Sequence, residues 1–210
     1  MTKDANPNQW SYTTIISGDA AFFRDVGAPL VEALHKELPS TGVRKHEGGM
    51  HQALQVNGDA RNELSLIVGS VTVIMFLASY IGKKVLDDVY SAKLQPIVKR
   101  ILGHTDDKLT HANARFKKVY QLGVWYEQRE VLVLVAVVGD SFGDILRRQQ
   151  VLTTVHTNAV TWIMQNGRQK AIHFYIVDKG IANAGPLLFD TVMQAQKHLA
   201  TCYPFDTAIR

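Results

Sequence analysis

Cysteine is almost missing from this 210-residue chain, in which Cys202 stands alone. A single thiol excludes an intrachain disulfide and a Cys-rich zinc site, and it fits a reducing compartment. The first residues, Met-Thr-Lys-Asp-Ala-Asn-Pro-Asn, carry no apolar segment of the kind a secretory signal needs, so a cytoplasmic location is expected. A strong charge of one sign is missing too. Lys and Arg number 23 against 19 Asp and Glu, a net of +4. The basic residues fall in short scattered groups, Lys83-Lys84, Lys99-Arg100 and Arg147-Arg148 among them. Such groups line solvated faces rather than track a phosphate backbone, so nucleic acid is not implied as a partner. With 46% hydrophobic and 20% charged residues, disordered and low-complexity classes are excluded as well.

Alternation and helical spacing are present along most of the chain. Residues 1–10 read as a polar tail. Ser11 to Ser17 holds Tyr12, Thr13, Thr14, Ile15 and Ile16, a strand ended by Gly18. Phe23, Val26, Leu30, Leu34 and Leu38 then recur at helical spacing, with Gly27 and Pro29 arguing for a break inside the run. Gly42 to Asn57 reads as a loop with one or two edge strands. Leu64 to Gly82 runs nineteen residues without a charge. That length suits a membrane span, but its serines and Gly69 favour a buried central helix, with a buried strand through Val71 to Ile74 as the lesser reading. Val85 to Leu102 is a second amphipathic helix with Pro96 as a kink.

After a polar joint near 103–115 the pattern sharpens. Tyr120, Leu122, Val124 and Tyr126 alternate, and Val131 to Val138 is unbroken apolar, so the two form a hairpin. Phe142 to Ile163 follows as one long helix, closed by Asn166-Gly167, then Ala171 to Val177 as a second central strand. A last helix opens at Gly185-Pro186 with Leu188, Val192, Ala195 and Leu199 facing inward. The expected fold is α+β or α/β: one domain over 11–210, with a mixed β-sheet, a C-terminal β-hairpin–α–β–α unit and several packing helices.

Two apolar strands joined by a helix pair in parallel, and ligands in such sheets bind beyond the carboxyl ends of the strands. There the sequence places Gly139, Asp140 and Ser141 after one strand and Asp178 and Lys179 after the other, a candidate ligand-binding rim. Gly139-Asp140-Ser141-Phe142-Gly143 also satisfies G-x-S-x-G, and Ser141, Asp178 and His198 follow the chain order of a hydrolase triad. The Gly-Asp-Ser triplet resembles the first block of GDS-type lipolytic hydrolases, without their closing Asp-x-x-His. Ser141-x-x-Asp144 ahead of an apolar run is equally a helix capping box, and this is the reading favoured.

Elsewhere the signals are thinner. The histidines of His46-Glu47-Gly48-Gly49-Met50-His51 are spaced by five and flank glycines, unlike a zincin helix. His104, Asp106, Asp107 and His111 sit in the polar joint without a ligand spacing, so no metal and no cofactor is expected. His173, within an apolar strand, reads as a hydrogen-bonded core residue. Tyr120, Trp125 and Tyr126 lack an RNA-binding signature around them.

The strand Tyr12 to Ile16 running into Gly18-Asp19, the Leu30 to Leu38 helix, the Gly48-Gly49 loop and the glycine-bearing apolar helix expected over Ile67 to Ile81 together resemble the small effector-associated adaptor domains of bacterial conflict systems. The likeness covers at most residues 11–138, and the elements after Gly139 depart from it. It implies a module that holds components together without catalysis of its own. The expected function is a soluble intracellular adaptor engaging a protein partner or its own copy, through the Leu64 to Ile81 segment or the aromatic hairpin. A small serine hydrolase or phosphate-ester enzyme at the 139–143 rim is the alternative, and membrane association through 64–82 the third.

Overall fold

A computed structural model describes residues 10–18, 22–37, 43–48, 51–56, 71–79, 86–103 and 117–203. Strand β1 is Trp10–Gly18. A π-helical turn, Phe23–Gly27, leads into α1, Ala28–Glu37. Strands β2, Val43–Gly48, and β3, His51–Val56, form an antiparallel hairpin. Strand β4 is Val71–Ser79. A second π-helical segment, Leu86–Leu94, precedes α2, Gln95–Leu102. Both π-helical segments end two residues before a proline, Pro29 or Pro96. A proline has no N–H to donate to the α-helical ladder, so one rung is lost there and the turn upstream loosens.

The remainder comprises β5, Lys118–Tyr126, and β6, Val131–Gly139, then α3, Phe142–Arg147, and α4, Gln149–Asn166. It ends with β7, Ile172–Asp178, the short β8, Ile181–Ala182, and β9, Leu187–Phe189, and α5, Val192–Cys202. The nine strands among the described residues join one mixed sheet in the order β2-β3-β1-β4-β5-β6-β7-β8, with β9 also on β7. The β4–β5 and β6–β7 pairs are parallel and the rest antiparallel, so the fold is α+β. The sheet is continuous from β4 to β5, on either side of the expected joint near 103–115; residues 104–116 of that joint lie outside the described residues.

The unbroken apolar run of β6 follows from burial on both faces. Val131, Val133, Val135 and Val137 join the core under the crossover helices, with Leu30 and Leu34 of α1, Ile97 and Leu102 of α2, Phe142 of α3 and Leu152 of α4. Phe22, just before the first π turn, stacks on Phe142 with ring centroids 5.9 Å apart. Leu132, Leu134, Ala136 and Val138 point the other way, against Val192, Ala195 and Leu199 of α5.

Three expectations are corrected. Val71–Ser79, read first as part of a buried helix or a membrane span, is a strand hydrogen-bonded to β1 and β5 on its two sides. Val71, Thr72, Val73 and Ile74 are β-branched, a run that packs well on a pleated sheet and poorly in a helix. Residues 64–70 and 80–82 lie outside the described residues, and among those described no helix is long and apolar enough to cross a membrane. The single helix expected from Phe142 to Ile163 breaks at Arg148, whose N–H bonds the Asp144 and Ile145 carbonyls. The last helix does not open at Gly185-Pro186: Leu188 belongs to β9, and α5 starts after Thr191, whose side chain accepts from the Gln194 N–H.

Candidate functional site

Parallel pairing brings the two halves of the rim together. Val138 sits beside Asp178 in the β6–β7 register, so Gly139-Asp140-Ser141 and Asp178-Lys179 share one end of the sheet. Antiparallel β5 delivers Lys117 and Lys118 to the same end, with Lys118 opposite Gly139. A Cβ on Gly139 would come within 3.0 Å of Ile145, so a residue without a side chain suits the tight entry into α3. On the other strand the chain turns straight back. Asp178 pairs with Ile181 across Lys179 and Gly180, whose φ values of 50° and 84° are those of a two-residue hairpin turn.

Ser141, Asp140 and Asp178 each have a local partner. Ser141 is the N-cap of α3, its Oγ accepting from the Asp144 N–H at 3.0 Å. Asp140 is exposed and ion-paired with Lys117, whose ammonium holds the carboxyl below its usual range, with Lys118 and Arg148 acting in the same direction. Arg147 pairs with Asp144, and Arg148 reaches the Val138 carbonyl at 3.5 Å. Asp178 accepts from Tyr203, just past the end of α5. Burial first, then the charge of Asp178 and the hydrogen bond to it, push that phenol up to about 12. His198 lies with its Nε2 3.4 Å from Cys202 Sγ and its ring against Phe189. The Ser141 hydroxyl is thus turned to α3 on one face of the sheet, and His198 lies on α5 on the other. No described hydrogen bond joins Ser141, Asp178 and His198 to one another, and Asp140 and Asp178 have different partners.

Histidine and tyrosine inside the fold act as packing groups. His173 donates from Nε2 to the Arg168 carbonyl at 2.6 Å, stands edge-on to Trp162, and has its pKa lowered by burial. His156 on α4, not singled out by the sequence reading, is fully buried, with Nε2 3.3 Å from the Leu122 carbonyl; burial drives its pKa down to about 3, so the ring is neutral. Tyr120 and Tyr126 are buried and Trp125 is half-buried against the α5-side core, so the aromatic hairpin is no free surface. The same holds for β4, where Val73, Met75 and Leu77 are fully buried. His46 and His51 fall on β2 and β3, and their side chains lie outside the described residues, as do His104 to His111. Among the described residues no group of three or more His, Cys, Asp or Glu is placed to hold a metal.

The surface that stands out is the outer side of α4. Gln149–Asn166 contains no Asp, Glu, Lys or Arg. Gln150, Thr154, Thr157, Thr161 and Met164 are exposed in a line spaced 4-3-4-3, with Met164 at 70%. The three threonine hydroxyls donate to carbonyls of their own helix, Thr154 to Gln150 at 3.3 Å, Thr157 to Thr153 at 3.0 Å and Thr161 to Thr157 at 3.4 Å. Covering this face would leave none of those donors unpaired. Two of the charges that flank it are matched within the chain, Arg147 by Asp144 and Arg168 by Glu130 at 2.6 Å, while Arg148 turns to the Val138 carbonyl. Comparison with protein-family models, curated proteins and solved structures finds no match to this chain.

Proposed function

We propose that the chain is a protein-interaction module without catalysis of its own, and that the outer face of α4 docks on the same face of a second copy. The observation that carries this reading is the 4-3-4-3 line from Gln150 to Met164, uncharged and exposed on a helix of eighteen residues. Surface helices ordinarily carry charge on their outer side, and interface centres are depleted of it. A 4-3 spacing is the seam along which two helices cross at about 20°. A neutral seam meets its own copy without like-charge repulsion along its length. Thr157 is the middle of the line, so a two-fold pair sets Thr157 against its own counterpart.

The reach of this contact is modest. Eighteen helical residues extend about 27 Å, and one helix pair of that length falls short of the roughly 1,200–2,000 Å² of stable complexes. A weak, concentration-dependent dimer is the expected species. The hydrolase reading has less behind it, because Ser141 serves as a cap and the other two triad candidates are engaged with Tyr203 and Cys202. Light scattering over a concentration series tests the proposal. The mass is expected to rise with concentration in the parent chain and to stay monomeric in Thr157→Lys and Met164→Lys; equal behaviour of all three would overturn it.

A further inference from the structure

Cations reach the end of β6 from two directions. Lys118, the first residue of β5, lies opposite Gly139 and is only 1% exposed. Lysine is almost never buried to that degree without opposite charge at hand, and the Asp140 carboxyl feels its ammonium. Lys117, one residue earlier, ion-pairs with Asp140 directly. Arg148 comes from the break between α3 and α4. Its N–H is held by the Asp144 and Ile145 carbonyls, and its half-buried guanidinium turns back to the Val138 carbonyl at 3.5 Å. That one long contact engages one of five N–H donors, and Arg148 makes no ion pair among the described residues.

The charge balance at this place is positive. Lys117, Lys118, Arg147 and Arg148 stand against Asp140 and Asp144, and Asp178 and Lys179 on the next strand offset each other. Four cations against two carboxylates leave a surplus of two among these residues. The Asp140 side chain is 80% exposed, so it can turn out to water when another anion arrives, and an exposed ion pair of this kind adds little to stability. A phosphate dianion matches the surplus, and a guanidinium offers it two parallel donors. The position is also the one where ligands of parallel strands bind, beyond the carboxyl end of β6 beside β7.

We propose that Lys117, Lys118 and Arg148 bind the phosphate of a small phosphate monoester at the end of β6, and that Asp140 competes with it for the same cations. The ester carbon faces solvent on the side where Asp140 lies. No covalent bond is made or broken. The site is separate from the outer line of α4, and its readout is ligand binding rather than mass.

Calorimetric titration of the full chain with ethyl phosphate tests the site, at constant ionic strength and about pH 7.5, where the ester is a dianion. Saturable binding of one ester per chain is expected. Arg148→Gln is expected to weaken it roughly tenfold or more, and Asp140→Asn to tighten it severalfold by removing the competing carboxylate. Lys117→Gln, at an exposed position where folding is not at stake, is expected to weaken it as well. Arg147→Gln removes the same charge from a neighbouring exposed side chain and is expected to change binding little. Circular dichroism confirms that each variant is folded. Absence of saturable binding in both the parent chain and Asp140→Asn, weaker binding in Asp140→Asn than in the parent, or equal losses in Arg147→Gln and Arg148→Gln would overturn the site.

Discussion

Gln121 on β5 and Gln196 on α5 exchange hydrogen bonds in both directions, Nε2 to Oε1 at 3.0 Å one way and 2.7 Å the other, and both side chains are buried. Each amide supplies the partner the other needs, which is how two polar side chains reside between the sheet and the only helix on that face among the described residues. Truncating one member strands the other. Gln196→Ala is expected to lower unfolding free energy by about 1–3 kcal/mol, whereas Gln121→Leu with Gln196→Leu together cost less than the sum of the single changes. A double-mutant cycle by urea unfolding checks this, and strict additivity would contradict the reciprocal pair.

Ser141 separates a structural role from a chemical one. Loss of its cap in Ser141→Ala is expected to cost about 1 kcal/mol. Ser141→Asn, which keeps a capping oxygen, restores most of that. A nucleophile shows the opposite pattern, since asparagine preserves no hydroxyl. The check is urea unfolding of the three proteins beside fluorophosphonate labelling, with no Ser141-dependent label expected.

His156 makes stability depend on pH. Its folded pKa of about 3 lies below the ordinary value of 6.5, so between those values the unfolded chain binds the proton and the folded chain does not. The stabilisation is complete above about pH 6.5 and declines as the pH falls toward 3, by at most about 1.4 kcal/mol per pH unit. His173, lowered by burial, adds to the same trend. Asp140 contributes only at lower pH, because a lowered carboxylate matters below its unfolded value near 3.8. Urea unfolding at pH 7, 6 and 5 should show the decline, and His156→Gln, which does not titrate, should flatten it.

Gly167 closes α4 with φ 75° and ψ −172°, a conformation almost confined to glycine, and a Cβ there would meet nothing within 4 Å. Gly167→Ala isolates backbone strain from packing. A loss of about 1–3 kcal/mol is expected, read from the unfolding midpoint.

Much of the sheet was legible in the chain. The alternation from Tyr120 to Tyr126 and the apolar run from Val131 yielded the hairpin, and the strand–helix–strand order yielded the parallel β6–β7 pair. Pro29 and Pro96 marked where helical geometry changes. The stretch at Val71 to Ser79 misled, because an element buried on both faces has no amphipathic period to distinguish strand from helix. Its β-branched start was the usable signal. At the last helix Gly185-Pro186 reads as the opening, whereas the start is set by Thr191, whose hydroxyl caps the Gln194 N–H. The rim was foreseen as a place, not as a set of partners: Lys117 for Asp140 and Tyr203 for Asp178 depend on tertiary contacts. The Gln121–Gln196 pair spans 75 residues and left no local trace.

Self-association through α4 is tested most directly by cross-linking at the centre of its outer line. Thr157→Cys in a Cys202→Ser background places one thiol where a two-fold pair meets itself, and Lys197→Cys in the same background places one on the exposed side of α5. Under mild oxidation at equal concentration, the α4 thiol is expected to give a disulfide-linked dimer well ahead of the α5 control. Cross-linking at Thr157→Cys no faster than at Lys197→Cys would contradict the account.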